Sequence, residues 1–148
     1  MHWYGGSFNI CVQINFDDDR PDIILRLAKV RVTTFRDEKV KNEVEVMKFL
    51  RQHTTIPVPR IIGWGLTADS PRGLGPFIIM DYVEGEDLSD LLQKPNDDKE
   101  APLTLNPDLD NKTLDIIYRQ IAGFMLQIYQ FDFPAIGAIA QDSERPNT

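Results

Sequence analysis

The stretch that most constrains this chain is Phe77-Ile78-Ile79-Met80-Asp81-Tyr82-Val83-Glu84-Gly85-Glu86-Asp87-Leu88. Its four apolar residues, Phe77 to Met80, are too few for a helix and are launched by Gly75-Pro76. They predict a strand buried on both faces. The run stops at Asp81, and Gly85 permits a turn that a residue with a Cβ resists. Asp87 then stands where a helix cap belongs, with Leu88, Leu91 and Leu92 spaced to form a buried stripe. A buried strand, a short extended connector and a helix in succession have the shape of a hinge between two lobes. Backbone N–H and C=O groups on the open edge of such a connector are suited to reading the edge of a planar base.

Upstream, the chain supplies a sheet and a helix for the hinge to join. Gly5-Gly6-Ser7-Phe8-Asn9 allows a close backbone approach and a run of N–H groups toward an anion, or simply a tight turn. Only Met1 to Tyr4 precede it, little chain for a strand ahead of the turn. Ile10, Val12, Ile14 and Phe16 alternate with Cys11, Gln13 and Asn15, which is strand periodicity. Asp17 to Pro21 form a turn, and Asp22 to Leu27 a second strand, completing an antiparallel hairpin. On that strand Arg26 shares a face with Ile24 and Ala28, whereas Lys29 falls on the opposite face. A guanidinium among apolar neighbours either forks onto an anion or lays its stem over the sheet with its head in water.

Residues 35–53 have helical periodicity, with Val40, Val44, Met47 and Leu50 as the buried stripe. Glu43 sits inside that stripe, while Lys41, Asn42, Glu45, Lys48 and Arg51 take more exposed positions. An inward carboxylate needs a partner, since burying an unpaired charge is costly, and Arg26 is the candidate. Ile56-Pro57-Val58-Pro59 ends the helix, residues 60–65 form a strand, and residues 66–75 form a polar loop. Beyond the hinge, residues 94–106 read as a surface loop and 108–129 as a long helix. Leu109, Ile116, Ile117, Ile121, Phe124, Met125 and Ile128 give that helix one broad apolar face, too wide for a small sheet to cover. Self-association through it is expected. Asp132-Phe133-Pro134 is a turn, and the polar tail 141–148 is expected to fray.

The wording of several segments is familiar. Ile79 to Leu88, the Gly6-Ser7-Phe8-Asn9 loop and Pro57-Val58-Pro59-Arg60 before a strand resemble the aminoglycoside phosphotransferase/choline kinase-like family, in particular its fungal members. The resemblance covers most of residues 5–92 in order, and 108–137 is similar to the opening of that family's larger lobe. It implies an α+β protein kinase-like small lobe, with an antiparallel sheet and one helix, over residues 1–92. A linker and the start of the larger lobe would follow over 93–148. The implied activity is ATP-dependent phosphorylation of a hydroxyl on a small molecule, with Mg2+ as the accompanying ion. By this resemblance Gly5, Gly6, Ser7, Phe8 and Asn9 cover the phosphates, Arg26 holds phosphate oxygens and Glu43 orients Arg26. Asp81 and Val83 meet the adenine through their backbones, and Met80 lies behind it. The family also carries a His-x-Asp-x-x-x-x-Asn loop and a later metal-binding Asp. Here the histidines are His2 and His53, and neither has an Asp two residues on. The 148 residues alone are therefore expected to be catalytically silent. The alternative to an enzyme is a non-catalytic nucleotide-binding or interaction module, or an inactive truncated product.

Composition narrows the partners. A formal charge of −7 and a pI near 4.7 argue against a nucleic-acid surface, which needs clustered Lys and Arg. The single cysteine, Cys11, excludes an intrachain disulfide. No apolar run reaches the roughly 20 residues that span a bilayer, and the N-terminus lacks a basic start and apolar stretch, so a cytoplasmic location is expected.

Overall fold

The computed structural model describes residues 2–94 and 104–140. The expected tail 141–148 and most of the loop after the hinge lie outside the described residues. The chain divides into two compact units, Met1–Val83 with Pro134–Thr148, and Glu84–Phe133.

The first unit holds a five-stranded antiparallel sheet of order β1-β2-β3-β5-β4. Its strands are β1 (His2–Gly5), β2 (Asn9–Ile14), β3 (Ile23–Ala28), β4 (Ile61–Gly65) and β5 (Phe77–Asp81), with helix α1 (Arg36–His53) between β3 and β4. Contrary to the sequence expectation, the few residues ahead of the Gly-rich turn do form a strand. β2 offers them a ready edge, and His2 to Gly5 pair with Gln13 to Ile10. Pairing to an existing edge needs no long element, because β2 supplies the partner hydrogen bonds.

Cross-strand register sets the faces. Tyr4, Cys11, Arg26, Ile78 and Trp64 are successive partners across the sheet, so they share one face. Ile24, Met80 and Ile61 form the neighbouring row on that face. α1 packs here, burying Val40 and Val44 against Ala28 and Ile78, with Ile61 and Trp64 at the margin. Ile78 and Met80 are buried, whereas Phe77 and Ile79, on the opposite face, are only half-buried. The hinge strand is thus closed on its α1 side and not on both. The opposite face is also apolar, built from Ile10, Val12, Leu25, Leu27, Phe77 and Ile79.

Two contacts fix α1 relative to the β4–β5 connection. Asp37 in its first turn accepts the Thr67 N–H at 3.0 Å and the Thr67 hydroxyl at 2.6 Å. Gly75 lies against the Arg36 guanidinium and has φ +107°, a conformation that strains any residue with a Cβ.

The second unit contains α2 (Leu88–Leu92) and α3 (Asn111–Tyr129). Asp87 occupies the cap position of α2 but makes no side-chain capping bond, and Leu88 and Leu91 are exposed rather than buried. A five-residue helix has barely more than one turn to present, so its spacing alone cannot hold a buried stripe. The ends of the following loop are joined by a bridge between Gln93 and Leu105, with Lys94 N–H donating to Thr104 O and Asn106 N–H to Leu92 O, each at 2.9 Å. No residue of α3 is buried.

Candidate functional site

The site starts from a charge placed among apolar residues. Arg26 faces α1 from β3, beside Ala28 and across from Ile78. Val40 and Val44 dock on that same patch, which brings the intervening turn of α1, and Glu43 with it, over Arg26. The guanidinium and the Glu43 carboxylate form an ion pair, with side-chain exposures of 19% and 30%. Burial pushes the Arg26 guanidinium below its usual range, partly offset by Cys11 across the β2–β3 pair. The same burial pushes the Cys11 thiol up, with Arg26 pulling the other way.

Lys39, one helical turn before Glu43, joins the pair. Its ammonium lies 3.4 Å from Glu43 Oε2 and donates to Asn9 Oδ1 at 3.0 Å. Burial and the charge of Arg26 hold Lys39 below the usual lysine range. The sequence reading missed this residue. The signal available was its i, i+4 spacing to Glu43, which is common on solvated helix faces. Glu45, expected to be exposed, is withdrawn instead, its side chain 13% exposed and paired with Lys48 at 2.9 Å. The Lys48 ammonium lies 5.5 Å from the Trp64 ring centroid, so the aromatic edge of β4 draws this pair inward.

The Gly-rich turn closes by a Gly6 N–H to Asn9 O bond of 3.0 Å, and Lys29 N–H donates to Phe8 O at 2.9 Å. Gly6 therefore spends its N–H inside the turn. A Cβ on Gly5 would meet nothing within 4 Å, which leaves open space at the end of β1. Phe8 is exposed.

At the hinge, Met80 is buried on the face that carries Arg26, two residues along β5 from Ile78. The Asp81 N–H donates to Arg60 O at 3.0 Å, and its carboxylate pairs with Arg60 at 3.1 Å. The Tyr82 N–H donates to Asp22 O at 3.1 Å, and Val83 is 65% exposed. Of the sequence-predicted residues, the structure brings Arg26, Glu43 and Asn9 into one connected group and sets Met80 on the same face.

A strand cation paired with a helix glutamate, a Gly-rich turn joined to them, and a hinge strand alongside are the parts of a kinase-like small lobe. The phosphotransferase enzyme family model matches residues 13–145. The chain belongs to that family.

Within the phosphotransferase family, the chain is 35% identical over 98 residues to a subtelomeric hrmA-associated cluster protein of Aspergillus fumigatus, covering 66% of this chain and 16% of that protein. It is 28% identical over 119 residues to altered inheritance of mitochondria protein 9, mitochondrial, of Scheffersomyces stipitis, covering 80% and 17%. The protein of the same name from Meyerozyma guilliermondii is 27% identical over 141 residues, covering 94% and 21%. The chain thus spans from 16% to 21% of the length of these relatives. No solved structure matches it. Among the described residues no group of three His, Cys, Asp or Glu converges to hold a metal, and no helix is long and apolar enough to cross a membrane.

Proposed function

We propose that these residues form the nucleotide-holding part of an ATP-dependent phosphotransferase that acts on a hydroxyl of a small molecule. The observation that carries this reading is the Arg26–Glu43 ion pair joined through Lys39 to the Gly-rich turn. A guanidinium aimed by a carboxylate is suited to phosphate oxygens, because its donors are held in a planar fork. In this reading Gly5 to Asn9 lie over the phosphates and Arg26 binds their oxygens. Glu43 keeps Arg26 in place. The adenine meets the Asp81 carbonyl, since the Asp81 N–H is engaged with Arg60. It also meets the backbone of Val83, an exposed residue, with Met80 behind it. ATP supplies the phosphoryl group when bound. Among the described residues no three His, Cys, Asp or Glu side chains converge on one point.

No step of phosphoryl transfer is assigned to these residues, since none lies in a His-x-Asp-x-x-x-x-Asn pattern. A second reading is a nucleotide-binding module that does not itself turn over. Two measurements separate the readings. A thermal shift with ATP and magnesium tests binding, and labelled phosphoryl transfer to aminoglycoside, choline-like and sugar acceptors tests turnover. We expect a stabilising shift and no transfer by the 148-residue chain. A missing shift sinks both readings. Transfer that disappears on Arg26→Ala means that a catalytic carboxylate lies among residues 84–148. A cytoplasmic location remains part of the proposal. Two relatives carry the word mitochondrial in their names, and imaging of a tagged chain decides between the compartments.

A further inference from the structure

Lys39 touches both halves of the proposed phosphate site. Its ammonium donates to Asn9, the last residue of the Gly-rich turn, and lies against the carboxylate that pairs with Arg26. Two cations therefore share one carboxylate, and the group carries one positive charge in excess. The Lys39 side chain is 29% exposed. With Phe8, Val32, Thr33, Thr34 and Phe35 it lines an open surface depression of about 520 Å³ beside the turn. Asn9 and Lys39 are 30 residues apart in sequence, so this bond is a tertiary tie between turn and helix.

We propose that Lys39 is a positioning residue that couples the Gly-rich turn to the Arg26–Glu43 pair, so that the lie of the turn over a polyphosphate and the aim of Arg26 are set together. The use of that coupling rests on the nucleotide reading above; the coupling itself does not. Lys39 acts through Asn9 and Glu43. Losing its charge frees the turn at one end and leaves Arg26 as the sole cation on Glu43. A charge-assisted hydrogen bond, discounted for partial exposure, corresponds to about a tenfold change in an opening equilibrium.

Hydrogen exchange on the 148-residue chain tests this directly, with Lys39→Met, Lys39→Arg and Asn9→Ala compared with the unaltered chain. Lys39→Met should speed exchange in the turn about tenfold while β5 amides keep their rates. Asn9→Ala should do the same and leaves α1 intact, so it carries the test if the Met variant fails to fold. Lys39→Arg should retain most of the protection. ATP binding should weaken about tenfold in Lys39→Met, and adenosine binding should not change. A merely structural lysine would instead speed exchange in α1 and β5 as well, and weaken adenosine as much as ATP. Unchanged exchange in the turn overturns the coupling, whatever ATP does. Faster exchange in the turn with no ATP binding to the unaltered chain leaves the coupling standing and removes the nucleotide reading.

Discussion

Arg26 and Glu43 are mostly withdrawn from water, and Arg26 depends on Glu43 for compensation while Glu43 is shared between Arg26 and Lys39. Removing Glu43 leaves the partly buried Arg26 without its partner, which costs more than the pair itself contributes, whereas removing Arg26 still leaves Lys39 on Glu43. Glu43→Gln should therefore destabilise the chain by about 1–3 kcal/mol in urea unfolding, less than for a fully buried pair. Replacing both with apolar residues, Arg26→Met with Glu43→Leu, should recover part of that loss. Additive losses in the double variant would mean that the two side chains do not act as a pair. The pair was legible because face alternation on a strand and the stripe of a helix each mark one charge pointing inward. Lys39 was not legible, since its partner Asn9 is remote in sequence and its spacing to Glu43 fits any solvated helix. Glu45 was misjudged because its i, i+3 pairing with Lys48 fits any solvated helix face, and the Trp64 ring beside Lys48 joins them only through packing.

Among the elements, α3 carries a side-chain cap at its N-terminus. The Asp110 carboxylate accepts the Thr113 N–H at 2.9 Å and the Thr113 hydroxyl at 2.6 Å, capping the helix. These bonds, that from the Thr113 side chain first, hold the Asp110 carboxyl below its ordinary value of 3.8. A depressed folded value means the contribution is complete above the ordinary value and is lost as pH falls through the folded one. Circular dichroism should show a loss of helicity below about pH 4, and Asp110→Ala should lower helicity at neutral pH and remove that acid step. An acid step that survives Asp110→Ala would assign it to another carboxylate. Sequence periodicity located α1 and α3 within a few residues because long amphipathic runs leave one solution. It missed β1, and at α2 it placed the helix and its cap position but not the exposure of its leucines; both elements are so short that neighbours decide them. β1 exists because β2 offers an edge, and α2 exposes its leucines because one turn cannot bury a stripe.

At the scale of the whole molecule, the sheet with α1 has a core of its own, whereas α3 has none. Ile116, Ile121, Met125, Leu126 and Ile128 on α3 are all more than 40% exposed, together with Tyr118 and Tyr129. Apolar surface of that kind favours association. Sedimentation of the chain should show concentration-dependent self-association, reduced by Met125→Lys, and a monomer at all concentrations would remove that expectation. The central claim is that Arg26, aimed by Glu43, holds the phosphates of a nucleotide. Calorimetric titration of the 148-residue chain with ATP and magnesium tests it most directly, with Arg26→Ala alongside. The account predicts saturable single-site binding to the unaltered chain and affinity at least about tenfold weaker in Arg26→Ala, the loss of one charge-assisted contact. No binding by a folded chain, or equal affinity in Arg26→Ala, would contradict it.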